Sequence, residues 1–332
     1  MCGHSLSNSL FKNYYTNEFF SASMSMELSN QNKLSEFYEE LKRMKINIVR
    51  PDINSCYADF TSDDCNFYYA LSAIKNVGYE SISNIVKERL KNGKFKNLFD
   101  FINRLNPKDI NKLQLEGLVK AGAFDSLNNN RKSLFEAIPS LILKSKNIHE
   151  NKSINQINLF DESKNQNDQD LLEKVNDFQF EERLSKEFET LGFFISDHPL
   201  NQYKEFFPQY NIINFNDFNL EDKLKDCVIA ATILKIQEKK NSKGLSYAII
   251  KFTDLGGVFE LFVFSDIFEH KREILKEGNS VFLNITKIIS SDGNSIRINV
   301  RTISRINELS NIPIKSLEIL TFDIKDLDQI KD

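Results

Sequence analysis

Two-metal phosphoryl transfer needs carboxylates that converge on ions ~3.5–4 Å apart. The nearest approach to such a set is Pro51-Asp52-Ile53-Asn54 followed by Ala58-Asp59-Phe60. Asn54 stands where a second carboxylate is needed, and a neutral amide is a poor magnesium ligand. Asp326 and Asp328 form another spaced pair, at the C-terminal end and without surrounding ligands, while Asp63-Asp64 reads as a surface or helix-start pair. His4, His149, His198 and His270 are dispersed, and Cys2, Cys56, Cys65 and Cys227 include no CxxC pair. These residues nominate no catalytic group and no metal site. Scattered thiols exclude a disulfide framework and fit a reducing cytosol.

Phosphate binding is better supplied. Lys75-Asn76-Val77-Gly78 lies between two short helical patterns. A glycine there lets the chain turn tightly, and free N–H groups at the start of the next helix can hold a phosphate. Such a contact grips a nucleic-acid backbone and reads no sequence. Lys120-Ala121-Gly122-Ala123 repeats the arrangement. At each turn the alternative is an ordinary helix end closed by glycine.

Two basic runs stand out. Lys87–Lys96 sets five basic residues against Glu88, a net +4, and Lys235–Lys243 sets four lysines against Glu238, a net +3. A solvated loop is the plain alternative for both. Lys235, Lys239, Lys240 and Lys243 lie near Phe252, Phe262 and Phe264 in the strand-like part of the chain. Single-strand binders combine a basic groove with stacking rings. A small barrel also needs large side chains inside, so most of these rings are expected in the core.

The peptide Gln156-Ile157-Asn158-Leu159-Phe160 lies in the polar stretch 145–176. A linker has no core, so an apolar pair there points to a partner with a pocket for Leu159 and Phe160 and a polar subsite for Gln156. A chance apolar pair is the alternative.

The elements that must position these residues are legible in outline. The 332 residues, 41% hydrophobic, suggest two or three domains. A net charge of −4 confines nucleic-acid contacts to local patches. No apolar run approaches the ~20 residues of a membrane helix. Residues 1 to about 50 read as helical, with Leu34, Phe37, Tyr38 and Leu41 on one face, Ser35 as the cap, and a stop before Pro51. Ile82, Ile85, Val86 and Leu90 form a second apolar stripe, and Phe178, Leu184, Phe188 and Leu191 a third that ends at Gly192. Beyond residue 226 the chain turns to strands at 227–236, 247–254, 258–264, 280–289 and 295–303, with a helix over Ile267–Leu275. Five strands and one helix match an OB-fold.

Several blocks together resemble the C-terminal half of the bacterial replicative DNA polymerases, the polymerase III alpha family. They are Glu39–Asn54, Ala73–Gly78, Phe95–Ile102, Leu118–Ser126 and Glu187–Leu200, followed by the barrel. The resemblance covers about residues 5–305. It implies a multidomain α+β chain: the helical end of a fingers domain (1–60), a tandem helix-hairpin-helix domain (61–144), a polar linker with a clamp-binding peptide (145–176), a helical connector (177–225), a five-stranded OB-fold barrel (226–308) and the start of a C-terminal domain (309–332). It implies DNA-directed DNA polymerase activity with Mg2+ for the family. The PHP, palm and thumb domains, with the metal-binding aspartates, are expected before residue 1. This chain alone is therefore expected to lack catalytic residues and cofactors.

The implied clamp-binding residues are Gln156, Leu159 and Phe160. The implied DNA-binding residues are Lys75, Asn76, Val77, Gly78, Lys120, Ala121, Gly122, Lys235, Lys239, Lys240 and Lys243. Implied partners are template–primer duplex, single-stranded template, the sliding clamp and the clamp-loader subunit, in the cytoplasm and without a membrane. A stand-alone clamp- and DNA-binding adaptor is the alternative. A DNA ligase fragment would place the hairpins after the barrel and add a four-cysteine zinc site, and the error-prone paralogue is expected to lack a good clamp peptide at this position.

Overall fold

The computed structural model describes residues 16–153, 172–221, 223–240, 244–289 and 296–306. Gln156, Leu159, Phe160, Lys243, Asp326, Asp328 and the expected domain at 309–332 lie outside the described residues. The chain divides into two compact units, Met1–His198 and Pro199–Asp332. That division falls inside the connector expected at 177–225.

In the first unit, α1 (Thr16–Ser25) and α2 (Gln31–Arg43) bury Phe20, Met24, Leu34, Tyr38 and Leu41. The cap of α2 is Asn30, whose side chain accepts from the Lys33 N–H. Ser35, the expected cap, instead sits inside the helix and is buried. Three two-residue strands follow: β1 (Ile48–Val49), β2 (Thr61–Ser62) and β3 (Phe67–Tyr68), with β3 between the other two. They are too short for a period-2 pattern to announce them.

Then come α3 (Tyr79–Asn92), α4 (Leu98–Arg104), α5 (Lys112–Lys120), α6 (Arg131–Ser153) and α7 (Phe180–Leu191). Asn97 and Asn111 cap α4 and α5 by accepting the N–H three residues on. The buried side of α3 carries Ile82, Ile85, Val86 and Arg89, and the Arg89 guanidinium donates to the Ile53 and Cys56 carbonyls at 2.7 and 2.6 Å. Leu90, expected on that stripe, is 66% exposed.

One core runs from Phe20 through Ile82, Phe101, Leu118 and Ile138 to Leu191 and Phe193. The expected boundary at 60/61 is therefore not a packing boundary. Both described ends of the stretch expected as a polar linker, 145–153 and 172–176, belong to this unit. α6 continues through residues 145–153 with Ser145 buried, and on the far side the Glu173 and Val175 carbonyls accept from Ser133 and Asn130. α7 ends at Gly192, in the left-handed conformation the sequence leads one to expect.

The second unit holds α8 (Phe215–Leu220) and a five-stranded antiparallel sheet: β4 (Asp226–Lys240), β5 (Ser246–Asp254), β6 (Gly257–Val263), β7 (Ser280–Ile289) and β8 (Ile296–Arg305), with α9 (Ser265–Lys271) between β6 and β7. The order is β6-β5-β4-β7-β8. β4 pairs with β7 through Asp226–Thr232 and with β5 through Thr232–Lys240, and its register shifts between Ile233 and Lys235. A bulge there bends the strand so that one strand serves both halves of the sheet.

β6 and β8 do not pair among the described residues, so the five-stranded sheet expected as an OB-fold barrel is not closed. Its inner face packs Ile229, Ile233, Ile250, Phe252, Leu261, Val281 and Ile285 around Phe218 and Phe268. On the opposite face, Leu200 and Ile212 cover Ala230 and Phe282. Among the described residues no helix is long and apolar enough to cross a membrane.

Candidate nucleic-acid interface

The first turn is open to solvent. A short 3-10 stretch (Leu71–Ala73) leads into Lys75–Gly78, where Lys75, Asn76 and Gly78 are exposed and Val77 is buried. Asn76, at φ 66°, makes the bend. A short polar side chain tolerates that left-handed conformation. Gly78 does not contribute in the expected way: its φ is −80°, and an added Cβ would meet nothing nearer than 3.9 Å. Its part is that of a helix N-cap without a side chain. No side chain caps α3, so the N–H groups of its first turn face outward with the positive end of the helix dipole.

The turn is held from behind. Lys75 N–H donates to the Thr190 carbonyl at 3.1 Å, and Val77 N–H to Ile74 at 3.1 Å. Gly117 of α5 makes the seat, since a Cβ there would stand 2.6 Å from the Lys75 carbonyl oxygen and 3.3 Å from a Val77 methyl. Reading for surface chemistry passes over Gly117. Its signal is a glycine inside a helical pattern, which marks close backbone approach. Beside the turn lies a groove of about 640 Å³, lined by Leu28–Asn32 and Ser72–Val77.

The second turn departs from the expectation set for Lys120, Ala121 and Gly122. Ala121, Gly122 and Ala123 are all buried. Gly122, at φ 81°, donates its N–H to Val119 at 3.0 Å, and Ala123 donates to Leu118 at 2.8 Å. These two bonds form the Schellman closure of α5, so the donors are taken up by the helix they follow. Lys120 is paired with Glu189 at 2.9 Å. A Cβ on Gly122 would fall 2.0 Å from the Arg131 guanidinium.

Arg131 binds Asp125 through two bonds of 2.8 and 2.7 Å and reaches the fully buried Glu187 at 3.5 Å. Glu187 in turn accepts the Ile195 and Ser196 N–H groups at 2.6 and 2.8 Å. This turn is a structural clasp joining α5, α6 and α7.

The second unit offers a different surface. Paired residues on adjacent strands share a face. Lys235, Lys251 and Glu260 form one cross-strand row, and Gln237, Ile249 and Phe262 form the next. Lys239 pairs with Tyr247, and Phe264 follows Phe262 by one alternation. Phe262 and Phe264 are 53% and 50% exposed, whereas Phe252 is fully buried. Only the last of the three rings therefore meets the expectation of core. Lys240 falls on the opposite alternation from Lys239. Lys251, absent from the sequence-based set, joins this face because period-2 alternation from Phe262 carries across β5.

Asp52 and Asp59 are each engaged in local hydrogen bonds. Asp52 accepts the Asn54 N–H within its own turn, Asn54 exchanges two hydrogen bonds with the Phe95 backbone, and Asp59 accepts the Tyr79 hydroxyl at 2.6 Å. Among the described residues no group of three or more His, Cys, Asp or Glu could hold a metal ion.

Residues 45–134 match the family described as helix-hairpin-helix motif. DNA polymerase III subunit alpha of Borreliella burgdorferi is 34% identical over 328 residues, which is 96% of this chain and 28% of that protein. The same subunit from Aquifex aeolicus is 33% identical over 81% of this chain and 22% of its own length. That from Rickettsia bellii is 31% identical over 95% and 29%. A solved replication protein A heterotrimer bound to ssDNA aligns with 36% of the chain at 15% identity and a TM-score of 0.23, from which no fold follows. The chain thus spans under a third of the length of these curated relatives, which match 81–96% of it, and by sequence it belongs to the DNA polymerase III alpha family.

Proposed function

We propose that this chain is a DNA-handling and tethering segment of a replicative DNA polymerase, working in the cytoplasm. The observation that carries the reading is the uncapped start of α3 at Gly78, set beside exposed Lys75 on a turn that α5 holds from behind. Outward N–H donors and a positive dipole end suit a phosphate, and such a grip serves template–primer duplex of any sequence.

The open sheet takes single-stranded template. Its strand order, with α9 between the third and fourth strands, supports an OB-fold left open between β6 and β8. Tyr247, Phe262 and Phe264 beside Lys235, Lys239 and Lys251 supply rings and charge for that role. Gln156, Leu159 and Phe160 tether the sliding clamp, and the clamp-loader subunit is met beyond the sheet. Magnesium and the polymerising carboxylates belong to parts of the polymerase outside this chain, so the chain alone does not extend a primer.

The deciding experiment is Gly78→Asp. Its backbone already has N-cap geometry, so the new carboxylate would bond the first N–H groups of α3 and repel a phosphate. Affinity for duplex DNA should fall by about tenfold or more while stability rises by roughly 0.3 kcal/mol. Unchanged duplex affinity in the stabilised variant would remove the hairpin from the DNA interface. For the tether, alanine at Gln156, Leu159 and Phe160 should abolish clamp capture and leave duplex binding intact. Surviving capture would send the search for the tether elsewhere.

A further inference from the structure

The basic run Lys87–Lys96 is not accounted for by the hairpin, and the fold sorts it into two faces. Arg89 turns inward to the Ile53 and Cys56 carbonyls. Glu88, the one carboxylate of the run, is held by Arg104 at 3.1 Å. Lys87, Lys91, Lys94 and Lys96 remain exposed. The surface is thus more uniformly positive than the sequence run, because the acid is paired with an arginine from another helix.

These lysines are also in line with the hairpin. Tyr79, Ser83, Lys87, Leu90 and Lys91 follow i, i+4, i+8, i+11 and i+12, so they lie along one side of α3. Tyr79 begins that stripe next to Gly78, the helix ends at Asn92, and Lys94 and Lys96 lie exposed in the segment that follows Gly93. Lys91 lies thirteen positions beyond Gly78. At ~1.5 Å per residue the two ends are about 20 Å apart. One strand of B-DNA carries a phosphate every ~3.4 Å of axis, so this length matches about six base pairs. Leu90, uncovered between Lys87 and Lys91, supplies the apolar contact that a deoxyribose face accepts.

We infer that the exposed side of α3 at Lys87 and Lys91, with Lys94 and Lys96 in the segment just after it, is a second phosphate-binding surface. It extends the grip on duplex backbone about six base pairs beyond the hairpin. The inference rests on the reading of Lys75–Gly78 as a duplex contact and adds a separate set of residues to it. Continuity with that turn along one helix selects a nucleic-acid duplex over an acidic peptide or an anionic lipid surface.

The test is the full chain carrying Lys87→Gln, Lys91→Gln and Lys94→Gln, titrated against a 24-base-pair duplex across a salt series. Each lost phosphate contact lowers the slope of log affinity against log salt by about 0.9. The triple variant should lose about two to three units of slope and bind at least about tenfold more weakly at low salt. All three positions are exposed, so far-ultraviolet circular dichroism should be unchanged. Wild-type slope and affinity in the triple variant, with Gly78→Asp still impaired, would overturn the lysine surface and leave the hairpin reading standing. Absence of duplex binding by the wild type would overturn both. Unaltered duplex binding with lost binding to phosphatidylserine vesicles would reassign the lysines to a membrane.

Discussion

The turns at 75–78 and 120–123 start from nearly the same ingredients, a lysine, a small or polar residue and a glycine beside helical sequence, and they reach opposite ends. At the first, glycine stands before a helix and keeps a normal backbone, so the next helix opens with bare N–H groups. At the second, glycine stands after a helix in the left-handed conformation, and the N–H groups that follow fold back onto that helix. The same residue type leaves donors available in one place and removes them in the other. A glycine beside a helix therefore says little about phosphate binding until its side of the helix is known.

Breaking the second turn should have the largest effect. Gly122→Ala places a methyl against the Arg131 guanidinium and parts it from Asp125 and Glu187. Disrupting a buried ion pair costs about 3–5 kcal/mol. Urea unfolding should show the transition of the first unit moved by that order, and an unmoved midpoint would mean that the turn is no clasp.

Gly117→Ala sharpens the contrast from the other direction. The methyl meets the Lys75 carbonyl and lifts the first turn off α5. Alanine's better helix propensity, about 1 kcal/mol, offsets much of the strain. Duplex affinity should drop by about tenfold, roughly 1.4 kcal/mol, with a small change in melting temperature. Intact binding would show that the exact seat of the turn is unimportant.

The smallest effect separates the two lysines. Lys75→Gln should reduce the salt slope of duplex binding by about 0.9. Lys120→Gln should leave it unchanged and cost about 0–1 kcal/mol of stability through loss of the partly exposed Glu189 pair. Equal slopes for both variants would erase the distinction between the turns.

Much of the fold was legible because burial imposes periodicity. The five strands of the second unit and the end of α7 at Gly192 follow from alternation and a stop residue. The failures have local causes. Ser35 looked like a cap because it precedes an apolar stripe, but Asn30 lies one turn earlier and its side chain reaches the Lys33 N–H. Leu90 looked like core because Ile82, Ile85 and Val86 precede it, yet the next buried position is occupied by Arg89 with backbone partners. Phe262 and Phe264 looked like filling for a barrel. Their faces could be assigned only once the partners on β5 were known, since a one-residue slip moves every side chain to the other face.

The sequence by itself determined what depends on nearest neighbours along the chain: helices, strands, family membership, and the two lysine–glycine turns as candidate sites. Tertiary structure alone decided which turn keeps free donors, which rings face water and where the acid of the basic run goes. Those outcomes hinge on residues far apart in sequence, such as Gly117 behind Lys75, Arg131 against Gly122 and Arg104 on Glu88. A hydrogen-bond donor is available to a ligand only if the fold has not already paired it, and that pairing is a property of the folded chain.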